Sequence, residues 1–419
     1  MLYCISEKEL DMKLSEELMW RGFTNQMTFT DIEQVNEPRK FYFGVDPSAD
    51  SMTIGNLAAA MMVRLFIEHG YEAYLLVGGA TGMIGDPDGK KDEREVRNRD
   101  DVERNKAAIS RQYKKVFAGQ DFHIVDNATW FSEINYIDFL HDIGKYMSMT
   151  QLLDREFVQT RIGEGGSGIS YAEFSYSLIQ GYDFLHLYRN HGVTMQLCGA
   201  DQWGNSTTGV TLIRKLEGGE AHVFSTPLVI NKTTGKKFGK SEDGAIWLDE
   251  SKTSVYKFYQ FWLNVDDEGV IDYMKIYTTL DPNTIEAIAE NHAVNPGARS
   301  AQKVLAREVT DIVHGATRRE SVERVTEVLF GGGDFSALSD DDISLLAQEI
   351  PRVDEGVGII EALVVSGAVS SNGEAKRLMK SGAISLNGEK IFEDRPVHQA
   401  SLIKKGKNTF VLIAEGEES

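Results

Sequence analysis

The stretch Phe41-Tyr-Phe-Gly-Val-Asp-Pro-Ser-Ala-Asp-Ser-Met-Thr-Ile-Gly-Asn-Leu57 limits what this chain can fold into more than any other. Phe41 to Val45 is aromatic and β-branched and reads as a short buried strand. Asp46-Pro47-Ser48 then turns the chain, because proline fixes φ and the Asp and Ser side chains bond nearby backbone. A helix begins at about Ser51 or Thr53, with Leu57, Ala60, Met61, Arg64 and Leu65 at helical spacing. Where a strand feeds a helix through a tight turn, the first helical N–H groups lack partners and converge on one point, which suits a phosphate. Gly44 and Gly55 carry no side chain, so a ligand can approach the backbone at both. A small-residue turn of this kind is also ordinary packing, so the reading needs support from the rest of the chain.

Repetition supplies that support. Ala73 to Val77 is a second buried strand, and it breaks into the glycine turn Gly78-Gly-Ala-Thr-Gly-Met-Ile-Gly-Asp-Pro87. Phe122 to Val125 is a third strand; Val193 to Cys198 is a fourth, ending in Gly199-Ala-Asp-Gln-Trp-Gly-Asn205. Helical patterns lie between them, at 100–118 and from Tyr171 onward. Strands alternating with helices predict an α/β fold with a Rossmann-like parallel sheet, whose ligands lie outside the strands' carboxyl ends. The glycine spacing is not the dinucleotide fingerprint, so no nicotinamide site is indicated. Residues 5 to about 35 read as a helix plus a loop, with Leu10, Leu14, Leu18 and Met19 on one stripe. From Trp130 to Ile162 a helical stretch rich in Met and aromatic residues exceeds a simple crossover and suits covering the sheet or a subunit interface.

Composition narrows the class of protein. The chain has 419 residues and a net charge of -20, from 64 acidic and 44 basic residues. That balance argues against general affinity for polyanions or anionic membranes, although a local basic face still permits a nucleic-acid partner. Cys4 and Cys198 offer neither a disulfide framework nor a metal set. With no secretory pattern in Met1 to Leu10 and no apolar run of about 18 residues, a cytoplasmic protein without a membrane span is expected.

Three further segments carry candidate chemistry. Tyr176, Gln180 and Asp183 fall at i, i+4 and i+7 of one helix, a row suited to hydrogen bonding a small polar ligand or to a half-exposed polar stripe. Lys236-Lys-Phe-Gly-Lys-Ser241 ends like a P-loop, but Thr234 stands where the first glycine belongs, so the P-loop is rejected. What remains is a glycine-bearing loop with lysines, suited to neutralising phosphate charge. Residues 251–347 are helical in pattern, Pro351 to Gly358 reads as a linker, and the remainder forms a small α+β module. There Ser371-Asn-Gly-Glu374 is a capping box and Asn387-Gly388 a hairpin turn. Lys376, Arg377, Lys380, Lys404, Lys405 and Lys407 concentrate positive charge on this module, which fits phosphate-backbone contact as well as a solvated face.

Five blocks in order resemble bacterial-type tyrosyl-tRNA synthetases, from about residue 40 to the C-terminus: 43–51, 77–87, 174–183, 199–205 and 237–241. The resemblance implies activation of L-tyrosine by ATP to tyrosyl-adenylate, then transfer to tRNA(Tyr), by a homodimer that takes Mg²⁺ with its ATP and has no bound organic cofactor. It implies a catalytic domain over 1–225 with a helical insertion near 130–162, a mobile signature loop at 226–250, an α-helical domain at 251–347 and an RNA-binding domain at 352–419. By the same resemblance, Tyr42 and Asp183 bond the substrate phenol, Asp86, Tyr176 and Gln180 hold its ammonium, and Gln202 lies near its carboxylate. Gly44, Asp46, Ser48, Gly55, Asp201 and Lys240 contact ATP, and Lys237, Lys240, Ser241, Lys90 and Arg94 handle pyrophosphate charge. No clustered protein ligands for a metal are found. One block departs from the family: where its first signature has two histidines, this chain has Thr53 and Asn56, here expected to act as neutral donors. That departure leaves open a catalytically silent RNA-binding paralogue. A tryptophan-specific sister enzyme is disfavoured by the Tyr42–Asp183 pair.

Overall fold

The computed structural model describes residues 12–87, 98–153, 155–163, 165–241 and 244–415. The chain divides into two compact units, one of residues 1–253 and 261–313, the other of 254–260 and 314–419.

The first unit is built on five strands: β1 Lys40–Val45, β2 Glu72–Val77, β3 Phe122–Val125, β4 Met195–Gly199 and β5 His222–Thr226. They pair in parallel in the order β3-β2-β1-β4-β5. The order reverses between β1 and β4, and at such a switch point the flanking loops part and leave a crevice at the carboxyl ends. The strands are nearly continuous apolar runs because helices cover both faces, as parallel sheets require.

Five helices of this unit matter here: α1 Leu14–Arg21, α2 Ile54–Glu68, α3 Arg99–Val116, α4 Tyr171–His191 and α5 Trp203–Glu217. α1 is shorter than the sequence pattern suggests: Leu14, Leu18 and Arg21 face inward while Met19 is 51% exposed, and Leu10 lies outside the described residues. β5 stops at Thr226 because Pro227 has no N–H to continue the ladder. α4 is sharply bounded, with the Ser170 hydroxyl accepting from Glu173 N–H and Gly192 in the left-handed conformation after its last turn.

α4 and α5 pack closely because a glycine on each helix lies against a side chain of the other. A Cβ added at Gly209 would lie 2.7 Å from the Phe184 Cβ, and one at Gly181 would lie 2.7 Å from Thr208 Cγ2. Phe184 is wholly buried and has nowhere to move. Gly209→Ala is therefore expected to destabilise the protein by about 1–3 kcal/mol through overpacking, more than the helix-propensity gain of up to about 1 kcal/mol. Urea denaturation checks this: the midpoint falls while the slope stays the same.

The second unit ends in an α+β module. Its strands are β6 Arg352–Asp354, β7 Ile384–Leu386, β8 Glu389–Lys390, β9 Ser401–Lys405 and β10 Thr409–Ala414, in the order β8-β7-β9-β10-β6. The segment Pro351 to Gly358, read from sequence as a linker, instead supplies edge strand β6, which pairs parallel to β10. Proline is tolerated there because it only precedes the strand. Asn387 and Gly388 take φ of 48° and 87°, as a tight hairpin turn requires. Helix α7 Asn372–Lys380, numbered after α6 Val270–Tyr277 of the first unit, is capped by Ser371, whose hydroxyl accepts from Glu374 N–H at 3.3 Å. The expected reciprocal bond is displaced by one residue, since Glu374 accepts from Ser370 N–H.

Candidate active site

A cleft of about 580 Å³ opens at the carboxyl ends of β1 and β4. Tyr42 to Asp46 line it from β1, Gln196 to Gly199 from β4, and Tyr176, Gln180 and Asp183 from α4. The i, i+4, i+7 row on α4 thus faces a cavity.

The deep end is built to hold a hydroxyl group. Asp183 is 1% exposed; its Oδ1 accepts from Trp130 Nε1–H at 2.9 Å and its Oδ2 from Asn127 Nδ2 at 3.1 Å. Asn127 is fixed in turn, because its Oδ1 accepts from Ala80 N–H and its Nδ2 also donates to Thr81 Oγ1. Burial pushes the Asp183 carboxyl up to about 8, against the pull of its two donors. Tyr42 is 1% exposed, and burial, followed by the Asp183 charge, raises its phenol well above the usual range. The Tyr42 hydroxyl and the side-chain carbonyls of Gln180 and Gln196 are buried and find no hydrogen-bond partner among the described residues. Unpaired buried polar atoms are costly, and three of them on one cleft point to a ligand that carries complementary donors and acceptors.

The middle of the cleft is acidic. Tyr176 Oη donates to Asp46 Oδ2 at 2.8 Å, and Gln202 Nε2 donates to Asp86 Oδ2. Burial, then the Asp46 charge, pushes the Tyr176 phenol well up. Asp46, Asp86 and Asp201 line the cleft together with the Gln180 carbonyl oxygen, a surrounding that attracts a cation such as an ammonium. Gly78 allows this crowding, since a Cβ there would lie 2.7 Å from Asp46 Oδ1.

The outer end is suited to an anion. Thr53 precedes the first residue of α2, and Gly55 and Asn56 lie in its first turn. Asn56 Oδ1 accepts from Thr53 N–H and from the Thr53 hydroxyl, both at 2.9 Å. The backbone donor fixes which way the amide points. The Thr53 hydroxyl thereby donates to Asn56 Oδ1, and both residues line the cleft. Lys237 lines the same end, and Ser48 flanks it. Lys240 and Ser241 form a two-residue strand against Gly244–Ala245. Lys90 and Arg94 lie outside the described residues.

The sequence did not single out Asn127, Trp130 or Gln196. Asn127 is the second residue after β3, and polar residues at a parallel strand's carboxyl end were the signal that located the other turns. In the second unit, Lys376, Arg377 and Lys380 are exposed on α7, and Lys407 is exposed between β9 and β10. Lys404 donates to Leu329 O at 3.1 Å and sits 5.1 Å from the Phe410 ring centre, and Lys405 donates to Ala368 O. Among the described residues no cluster of three or more His, Cys, Asp or Glu is arranged to hold a metal, and no helix is long and apolar enough to cross a membrane.

The family model for class I tRNA synthetases (W and Y) matches residues 33–331, and that of the tyrosine–tRNA ligase SYY-like C-terminal domain matches 342–417. The tyrosine–tRNA ligase of Flavobacterium psychrophilum is 39% identical, over 97% of this chain and 98% of its own length. That of Bacillus caldotenax is 42% identical, over 96% and 99%. Among solved structures, a C-terminally truncated mitochondrial tyrosyl-tRNA synthetase of Aspergillus nidulans is 29% identical, with a TM-score of 0.69 over 76% of this chain and 94% of that one. A hydroxyl-seeking pocket, an acidic middle and an anion-seeking mouth at the switch point are what such an enzyme needs, and the chain belongs to the class I tRNA synthetases, in the tyrosine–tRNA ligase family.

Proposed function

We propose that the chain activates L-tyrosine with ATP and transfers it to the 3′ end of tRNA(Tyr). The observation that carries this reading is the buried Asp183, held by Trp130 and Asn127 beside the unpaired Tyr42 hydroxyl. The substrate phenol bonds Tyr42 and Asp183; Asp86, Tyr176 and Gln180 take its ammonium, and Gln202 lies near its carboxylate. The carboxylate attacks the α-phosphate of ATP and pyrophosphate leaves, so no side chain need act as nucleophile. The protein supplies position and charge stabilisation. Gly44, Asp46, Ser48, Gly55 and Asp201 contact the nucleotide, and Asn56, Lys237, Lys240, Ser241, Lys90 and Arg94 are assigned to the phosphate charge, whose Mg²⁺ enters with ATP.

The remaining parts follow the same reading. Lys376, Arg377, Lys380 and Lys407 supply the basic face that meets tRNA, with Lys404 and Lys405 beside them. Residues 1–225 carry activation, 226–250 the signature loop, 251–347 a helical domain and 352–419 RNA binding, in the cytoplasm. Tyr136, Ile137, Tyr146, Met149, Ile162 and Tyr171 are exposed apolar or aromatic residues in and beside the insertion. They suit the interface of a homodimer.

Tyrosine-dependent exchange of labelled pyrophosphate into ATP tests the activity. Exchange with tyrosine, and background with phenylalanine and tryptophan, is expected. A folded protein silent in this assay would be the RNA-binding paralogue instead.

A further inference from the structure

The lysine loop is tied to the rest of the first unit at a few definite points. Ile230 and Lys237 pair as an antiparallel bridge, and Phe238 N–H donates to Val229 O at 2.9 Å. Ile246 N–H donates to Gly239 O at 3.1 Å, and Ile54 N–H, at the start of α2, donates to Ile246 O at 3.1 Å. Gly239 has φ of +105°, and a Cβ there would lie 3.0 Å from Ile54 Cγ1. The loop backbone therefore abuts the α2 N-terminus only because residue 239 has no side chain.

One side chain points the other way. Phe238 lies between the signature lysines and is 6% exposed, while Lys236 and Lys237 on its N-terminal side are exposed. Its ring stacks on Tyr273 of helix α6 Val270–Tyr277 at 4.2 Å and 22°. Phe261, Trp262 and Tyr277 surround it at 5.4, 5.7 and 5.9 Å. Tyr273 also reaches the other limb of the loop: its hydroxyl accepts from Lys232 N–H and donates to Asp266 Oδ2, each at 3.3 Å. Asn231 Nδ2 donates to that same Asp266 oxygen at 3.3 Å, and Lys232 Nζ pairs with Asp272 at 2.8 Å. Tyr273 thus holds both limbs, one through its ring and one through its hydroxyl.

We infer that Phe238 and Tyr273 form a clamp that holds the lysine loop in register over the α2 N-terminus. Both are positioning residues that act through Lys237: residue 238 borders the cleft, but its ring is packed on Tyr273. Phosphate charge is stabilised only when the cation stands at the right distance as the charge develops, so a loosened loop lowers the rate of activation and leaves tyrosine binding alone. The kinetic half of this inference rests on the activation reading above; the loop's accessibility does not.

The test compares Phe238→Ala, Phe238→Leu and Tyr273→Phe with the wild type in two measurements. In pyrophosphate exchange, Phe238→Ala is expected to lose about tenfold to a hundredfold in kcat, with KM for tyrosine unchanged within about twofold. Brief trypsin digestion of the full chain is expected to cut after Lys232, Lys236 or Lys237 about tenfold faster, since cleavage tracks the population of the open segment. Phe238→Leu, which keeps an apolar plug, recovers most of both effects. Tyr273→Phe, which keeps the ring and loses the hydroxyl, shows a smaller increase in cleavage. Wild-type rates in both measurements for Phe238→Ala would overturn the clamp, as would a kcat loss matched by an equal rise in KM for tyrosine. If Phe238→Ala does not fold, Phe238→Leu and Tyr273→Phe decide: trypsin rates equal to wild type in both overturn it. A wild-type chain silent in exchange refutes the activation reading, and the trypsin rates still judge the clamp.

Discussion

Asp183→Asn is expected to lower kcat/KM for tyrosine by about 10- to 100-fold, the range for losing a hydrogen bond to a charged group. The substitution hurts twice. The substrate phenol loses an ionised acceptor, and an amide N–H₂ now stands where a carboxylate oxygen accepted from Trp130 Nε1 or Asn127 Nδ2, so two donors confront each other. Activity with phenylalanine, which brings no hydroxyl, falls much less, and the preference for tyrosine shrinks by a similar factor. The pH profile makes the claim sharper. Burial raises the Asp183 carboxyl to about 8 against the pull of Trp130 and Asn127, so the share of carboxylate in the free enzyme grows as pH rises toward that value. If the carboxylate is the productive acceptor, kcat/KM for tyrosine climbs towards tenfold per pH unit below about 8 and flattens above it. Asp183→Asn loses that limb. A wild-type profile flat from pH 6 to 9 would mean that Trp130 and Asn127 keep Asp183 ionised throughout.

The parallel sheet was legible because four of its five strands are mostly apolar runs closed by glycine or polar residues, so the chain order and turn position of those four followed directly from the residues. The row Tyr176, Gln180 and Asp183 was legible as a shared helix face, although periodicity alone left open whether that face met a ligand or solvent. What holds Asp183 was not legible. Trp130 and Asn127 are 53 and 56 residues away in sequence, and no local pattern records that they meet it. Thr53 and Asn56 were read as neutral donors, and the sequence did not show that the fold pairs them through Asn56 Oδ1. Phe238 was not singled out among the lysines; its burial depends on rings from α6 and its neighbours, contributed by sequence 23 to 39 residues later. Strand β6 was missed because an edge strand of three residues carries too little alternation to outweigh the proline and glycines beside it.

Lys237→Ala carries the largest expected effect: a loss of about 10²–10³ in kcat for pyrophosphate exchange, the cost typical of removing one preorganised group that meets developing charge. Lys237 lines the outer end of the cleft, while its neighbour Lys236 does not. Both are exposed lysines of equal charge, so a purely general electrostatic attraction for ATP would make the two variants alike. A positioned cation predicts that they differ, with Lys236→Ala within about threefold of wild type. Tyrosine affinity, followed by intrinsic fluorescence, is expected to stay unchanged in both, because Lys237 is exposed while Tyr42 and Asp183 are buried in the cleft. Lys237→Arg keeps the charge but changes its shape and reach, and is expected to fall between wild type and alanine. Raising the salt concentration separates the two contributions further: long-range attraction fades over a Debye length of about 10 Å at 0.1 M, whereas contact with a phosphate in the cleft persists. Equal losses for Lys236→Ala and Lys237→Ala, both abolished by salt, would show that the loop acts as a diffuse positive surface and not through a placed ammonium.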